Sequence, residues 1–316
     1  YKDNKLNKVS LFSPIFLKCI PALFKEWSVS PGPDQETIDH FARRRFSPFV
    51  ATTLIDPLVK GIFGGSSCTL SVSAFFPQLK KMEKDYGSIT AGLLKTYSGN
   101  QERGLFTLKN GAYSLIKALK EQGRGPIYTS KALNHIPKSQ KIFLALPKNG
   151  LQSLFSHDLK MFNLLKKIKS VDLNVVNLYY NRPCLNYKGF GYLVPSFEKQ
   201  KIMGVVFDSS IFPQQNTLKK ETRLSVMLSQ GGVFEAIEGV KKHLKIKDYP
   251  LSAHYTQWQG SIPQYELGHE KIVAELKCLL QTNYPNVEVT GNFLRGVSVD
   301  QCIEICKNTV DKTLHS

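Results

Sequence analysis

The residues best placed to do chemistry lie near the C-terminus. Ser298 and Gln301 stand in the S-x-x-Q spacing of a capping box just after Gly296, which predicts a helix beginning there. A helix start carries N–H groups without intrahelical partners and a partial positive charge, so it can seat an anionic group. Gly291 and Gly296 let other atoms approach that backbone closely. An ordinary structural helix start has the same features. Other chemistries find no support in spacing. The 7 histidines, His254 and His269 among them, show neither H-x-x-x-H nor a triad order, and fit surface or satisfied-core roles. No paired carboxylates stand out. The 6 cysteines are scattered without a C-x-x-C pair, and Cys302 and Cys306 read as small buried side chains four apart on one helix. That usage fits a reducing compartment, with no structural metal. No catalytic side chain and no metal ligand is assigned. No GxGxxG follows a strand: Gly123-x-Gly125 and Gly189-x-Gly191 lack the third glycine and the strand–helix context.

Those residues need a framework, and periodicity outlines one. With 316 residues and 42% hydrophobic content the chain can form two or three compact units, and neither disorder nor a fibrous repeat fits. Residues 1–95 read as helical. Leu11, Ile15, Phe16, Cys19, Ile20, Leu23, Phe24 and Trp27 recur at three- and four-residue steps with lysines between, an amphipathic helical pattern. Its Phe-rich side suits a protein core or a membrane interface. Pro14, Lys18, Pro21 and Lys25 interrupt the apolar run, which falls short of the roughly 18 residues of a spanning helix. After a break at 30–33, a second helix from Glu36 carries Ile38, Phe41, Ala42 and Phe46, with Arg43, Arg44 and Arg45 as a cationic patch. Gly61 and the pair Gly64 and Gly65 are expected to end the next helix. Over 104–150 strands are expected at 105–108, 126–129 and 141–146, with a tight turn at Asn110-Gly111 and a helix over 113–120, an α/β alternation. Strands dominate 171–232, at 175–180, 191–194, 203–207 and 224–228, as in a mostly antiparallel sheet. Helices over 235–243 and 270–280, a strand over 287–290 and a helix over 299–311 complete the chain.

The formal charge of +17 is uneven, with 17 Lys and Arg against 5 Asp and Glu between positions 61 and 170. Such a stretch suits nucleic acid, anionic lipid or an acidic ligand, or is a solvated lysine-rich face. Without an RNA-binding motif or stacking aromatics among the lysines, nucleic acid is not an expected partner. A basic membrane- or RNA-binding protein without activity remains the alternative of another class.

The stretch GNFLRGVSVDQCIE at 291–304 resembles the C-terminal FAD-contacting motif of the protoporphyrinogen oxidases, a family of the amine-oxidase-like flavoprotein group. Further blocks are similar in the same order: ETIDHFARRR at 36–45, DPLVKGIFGG at 56–65, LSVSAFFPQL at 70–79 with Gly87-Ser-Ile, GFGYLVP at 189–195 and IPQYELGH at 262–269. The resemblance covers nearly the whole chain. It implies an α/β plus α+β fold in three parts: a helical membrane-binding domain at 1–95, an incomplete Rossmann-like FAD domain at 96–150 and 263–316, and a mostly antiparallel substrate-binding sheet at 151–262. By position, Val297, Ser298, Val299, Asp300, Gln301 and Cys302 would line FAD, where the helix dipole favours the charge that builds on a reduced flavin. Ala132 would fall on a strand touching the adenosine end. Phe190, Gly191, Leu193 and Met227 would face the porphyrinogen ring, which suits an aromatic face, a glycine for clearance and flexible apolar side chains. Core-facing strand residues would look the same.

The implied activity is flavin-dependent oxidation of protoporphyrinogen IX to protoporphyrin IX in heme and tetrapyrrole biosynthesis, with hydride transfer to FAD and oxygen as acceptor. Oxidation of coproporphyrinogen III, or another amine-oxidase-like oxidase or desaturase reaction, is the alternative within chemistry. The resemblance also implies a peripheral membrane protein on an anionic lipid surface, at the cytoplasmic face of a bacterial inner membrane or on an organelle membrane. It leaves a homodimer open. The family's GxGxxG lies at its N-terminus. With Tyr1 in place of Met, this sequence is expected to be a fragment or processed chain whose upstream coding region holds that fingerprint. Two departures stand out: Asn110-Gly111 where relatives show Gly-Gly, and Glu270 where many have Trp.

Overall fold

The computed structural model describes residues 1–10, 12–96 and 106–314. Its first part is built from helices: α1 (Pro14–Leu17), α2 (Ile20–Glu26), α3 (Ile38–Arg45), α4 (Pro48–Val50), α5 (Asp56–Phe63), α6 (Val72–Phe75), α7 (Pro77–Tyr86) and α8 (Ile89–Thr96). The one amphipathic helix expected over 11–27 is divided in two. Proline stands in the first turn of both α1 and α2, where its missing N–H is no loss, and the chain bends between them at Lys18 and Cys19. Leu11 lies outside the described residues. Of the expected apolar stripe Cys19 is buried, whereas Leu23, Phe24 and Trp27 are exposed. α4 runs into α5 through a π turn at Ala51–Ile55, adjoining Pro57, which cannot donate to the preceding turn. Gly61 does not end a helix. It lies inside α5, where a side chain would stand 2.3 Å from Leu193 Cδ2, so its bareness lets the helix sit directly on that residue.

Arg43, Arg44 and Arg45 form no cationic patch. The inner side of α3 packs among α2, α7 and α8, and acids from the neighbouring segments converge on it. Arg45, fully buried, reaches Glu83 at 2.6 Å and Glu26 at 3.3 Å. Arg44 reaches Glu36 and Glu83, each at 2.6 Å, and Lys80 bonds Glu83 at 2.6 Å and Glu36 at 3.0 Å. Glu26 also accepts from Ser88 Oγ and from the backbone N–H groups of Ile89 and Thr90, which caps the start of α8. Arg43 alone faces outward, paired with Asp39 at 2.6 Å.

The middle holds α9 (Tyr113–Gln122), β1 (Ile142–Ala145), α10 (Lys148–Leu154) and α11 (Leu159–Lys167). The turn at Asn110-Gly111 forms, but 106–108 and 126–129 are not strands, and Leu105 lies outside the described residues. Residues 126–129 are exposed, and β-branched and aromatic types make a strand only with a neighbour to pair with. α10 and α11 occupy a stretch to which the sequence assigned nothing.

The second sheet takes in β2 (Lys169–Tyr180), β3 (Gly191–Leu193), β4 (Ile202–Val206), then α12 (Asp208–Ile211), β5 (Thr222–Leu228), α13 (Val233–Leu244) and β6 (Ser252–Gln264). Its strands run antiparallel in the order β3-β4-β5-β2-β6. Alternation along β5 buries Thr222, Leu224, Val226 and Leu228 and directs Arg223, Ser225 and Met227 to the other side. The buried side packs on Ala236, Val240 and Leu244 of α13. β6 escaped sequence reading because its outer half is polar and it contains Gly260 and Pro263. Both are tolerable on an edge strand.

α14 (His269–Asn283), β7 (Val287–Thr290) and α15 (Val299–Leu314) close the chain. β7 pairs in parallel with β1, and both pack with α10, α11 and α14 around Leu151, Phe155, Leu165, Leu276 and Phe293. The helical part is stitched to the antiparallel sheet at several points. Asp56 accepts from Ser196 N at 2.7 Å and from its Oγ at 2.9 Å, Gln264 Nε2 donates to Phe63 O at 2.9 Å, and Ser71 N donates to Tyr265 O at 2.8 Å.

Candidate functional site

The start of α15 forms as its spacing predicts. Ser298 Oγ accepts from Gln301 N at 3.3 Å, Gln301 Oε1 accepts from Ser298 N at 3.5 Å, and Cys302 N opens the helical ladder by donating to Ser298 O at 3.0 Å. Among the described residues the N–H groups of Val299 and Asp300 have no acceptor, the orphan donors of a helix N-terminus. Val299, 66% exposed, and Ile303 present an apolar edge beside them. Val297 and Cys302 turn inward. Val297 packs against the helical core, and Cys302 Sγ donates to Gly296 O at 3.4 Å, with burial raising its thiol pKa. Gly296 adopts φ 75° and its Cα lies against α15. A Cβ there would stand 2.7 Å from Gln301 Cβ and 2.9 Å from Ile305 Cδ1.

The loop between β7 and α15 is held from the block at 262–269. The Tyr265 hydroxyl donates to Asn292 O, and Tyr265 is stacked between Phe75 and His269 at 4.7 and 4.3 Å. His269 Nε2 donates to Leu294 O at 3.1 Å. Burial lowers its pKa, with that bond acting in the opposite sense, so it is a satisfied core histidine. Burial likewise raises the Tyr265 pKa. The sequence marked this block only by resemblance, and the positioning roles of Tyr265 and His269 had no signal of their own. Ala132 lies in an exposed, irregular segment and not on the expected strand, because among the described residues no strand pairs with it.

Of the expected ring-facing residues, Gly191, Leu193 and Met227 lie on the side of the antiparallel sheet away from α13, and Phe190 stands just before β3. Leu193, Gly204, Met227, Val175 and Thr256 fall in one cross-strand row, and Gly191, Val206, Ser225, Asn177 and His254 in the next. Gly191 has φ 154°, and a Cβ there would strike Val205 O at 2.1 Å, so β3 can pair closely with β4 only as glycine. Phe190, 56% exposed, holds β4 through its carbonyl, which accepts from Phe207 N at 2.9 Å. A polar chain that the sequence did not single out crosses this side: Asn177 Nδ2 donates to Ser225 Oγ at 2.9 Å, and Ser225 Oγ donates to Asp208 Oδ2 at 2.8 Å.

No protein-family model matches the chain. It is 29% identical to the protoporphyrinogen oxidase of Bos taurus over 89% of this chain and 69% of that protein, and 28% identical to the human enzyme of that name over 92% and 71%. A coproporphyrinogen III oxidase of Bacillus subtilis is 26% identical over 90% and 68%. Among solved structures, a protein from Exiguobacterium sp. 255-15 provisionally described as a protoporphyrinogen oxidase superposes with a TM-score of 0.80 at 18% identity, over 97% of this chain and 74% of that one. Reduced UDP-galactopyranose mutase superposes at 0.62 and 12% identity, over 88% and 67%, a likeness of fold alone. The mixed α/β fold with its antiparallel sheet thus has counterparts among solved structures, and the chain is a relative of the protoporphyrinogen oxidases over 89% of its length.

Proposed function

We propose that the protein is an FAD-dependent oxidoreductase that converts protoporphyrinogen IX to protoporphyrin IX in heme biosynthesis. Similarity to enzymes of that name across nine-tenths of the chain carries the reading. The α15 cap supports the cofactor: two outward N–H donors, an apolar edge and a close-packed glycine fit a flat group that gains negative charge. Bound FAD would supply the two-electron acceptor chemistry of three successive cycles, with oxygen as final acceptor. The chain's own part is to bind, orient and exclude water. Val299 and Asp300 N–H would stabilise charge at the cofactor, while Gly191, Met227 and Phe190 would offer the macrocycle a flat, largely apolar floor, with Leu193 at its margin where α5 packs on it. The bacterial relative named for coproporphyrinogen III supports that compound as the alternative substrate. Protein produced from the complete gene should purify yellow and oxidise one porphyrinogen in preference to the other. A colourless product inactive on both would overturn the reading.

The division into a helical unit at 1–95, an FAD-binding unit at 96–150 and 263–316 and a substrate unit at 151–262 belongs to the same proposal, as does a peripheral seat on anionic membrane. No helix among the described residues is long and apolar enough to cross a bilayer. Phe12, 90% exposed, and the exposed Leu17, Phe24 and Trp27 lie in a stretch that also carries Lys18 and Lys25, a composition suited to resting on a lipid surface. Phe24→Asp should weaken sedimentation with phosphatidylglycerol vesicles by about tenfold, from the apolar burial and the added charge repulsion. Unchanged binding would remove this face from the membrane proposal.

A further inference from the structure

Beside the row next to Leu193 and Met227 lies a charged group that an apolar floor does not call for. Asp208 opens the short helix α12, and its carboxylate leans over β5 to accept from the Ser225 hydroxyl. Ser225 has one hydroxyl proton, which it gives to Asp208, and it accepts in turn from Asn177. Ser225 lies opposite both Val206 and Asn177, and Val206 lies opposite Gly191, so the chain runs alongside the residues proposed to face the ring. Asp208 is half-buried. Burial raises its pKa, while the Ser225 bond and nearby Arg223 act in the opposite sense. Arg223 does not neutralise it by contact: its guanidinium is taken up by Glu221 at 3.1 Å, by Asn216 Oδ1 at 2.9 Å and by Phe212 O. A carboxylate accepts about four hydrogen bonds; among the described residues one side-chain donor reaches this one, with the backbone N–H groups of Asp208 and Ser225 also acting on it, which leaves acceptor capacity to spare.

The chemistry of the proposed substrate complements that group. A porphyrinogen is apolar over its faces and bears propionate carboxylates on its edge, and it carries four pyrrole N–H donors at its centre, which lose their partners when the ring leaves water. We propose that Asp208, oriented by Ser225 and Asn177, accepts the pyrrole N–H groups of the bound tetrapyrrole and so sets its position over Gly191 and Met227. The role rests on the porphyrinogen-oxidising reading above. Asp208 is a substrate-positioning residue here, since the hydride acceptor is supplied by FAD. Charged acceptors make the stronger hydrogen bonds, and their loss costs binding more than a neutral pair would.

The test uses the flavin-loaded, full-length protein. Asp208→Asn, which keeps the shape and removes the charge, should raise KM for the porphyrinogen roughly tenfold or more while changing kcat less. It should weaken protoporphyrin IX binding, read by fluorescence, by a smaller factor, since the product keeps two of the four pyrrole N–H groups, with FAD content unchanged. Ser225→Ala, a smaller change that leaves Asp208 in place, should weaken product binding about threefold by releasing the carboxylate. Asp208→Glu should restore part of the affinity. KM and product affinity within twofold of wild type in both Asp208→Asn and Ser225→Ala would overturn the proposal. A wild-type protein that neither oxidises nor binds a porphyrin would instead overturn the functional reading beneath it.

Discussion

Glu83→Gln should lower the unfolding free energy by about 3–5 kcal/mol, the cost of removing one partner from a buried ion network. The carboxylate is 1% exposed and bonded at 2.6 Å to each of Arg44, Arg45 and Lys80, so its loss leaves three cations sharing what remains of Glu26 and Glu36. Urea denaturation of the two proteins measures the difference, and a loss under about 1 kcal/mol would show that water reaches the network and screens it. The pH dependence has a definite sign. Hydrogen bonds and charge from Lys80, Arg44 and Arg45 outweigh the burial that would raise it, bringing the Glu83 pKa down from 4.5 to about 2. The stabilisation is therefore complete above pH 4.5 and lost as pH falls toward 2. The pKa values of Glu26 and Glu36 are shifted down as well, Glu26 by its bonds to Ser88, Ile89 and Thr90. The wild type should accordingly lose stability more steeply than Glu83→Gln across that acid range.

Gly296→Ala is expected to weaken FAD binding by roughly tenfold or more while the rest of the fold survives. The residue sits at φ 75°, where a side chain costs about 1–2 kcal/mol on its own. The new methyl would also press on Gln301 and Ile305, shifting the first turn of α15 and with it the direction of the Val299 and Asp300 N–H groups. Titration of flavin-free protein with FAD reads the effect. Ser298→Ala is the milder companion, removing a cap bond of about 1 kcal/mol without moving the glycine. Unchanged FAD affinity in Gly296→Ala would place the cofactor elsewhere.

Local signals explain what was legible in the sequence. The capping box at 298–301 and the strict alternation of β5 are short-range patterns, and both took the expected form. Arg44 and Arg45 misled because their partners lie 8 to 39 positions away. Nothing near Arg45 in sequence announces that Glu26 and Glu83 will meet it. Residues 126–129 misled for the opposite reason, since strand-forming side chains were present and a paired neighbour was not. Asp208, Ser225 and Asn177 are unremarkable one at a time, and only strand register brings them into a line. Tyr265 and His269 lay inside a similar block, yet their hold on the loop at 291–296 follows from a tertiary approach that no spacing encodes.

The bare flank of Gly61 against Leu193, with Asp56 grasping Ser196 and Phe63 tied to Gln264, leaves the helices no slack relative to the strands. An element fastened at both margins of a sheet behaves as a strut. If α1 and α2 rest on a lipid bilayer, the strut would fix the height at which the proposed tetrapyrrole floor stands above it. A hydrophobic substrate would then pass from the acyl boundary to the reaction site along one constant depth, with no swinging arm in between.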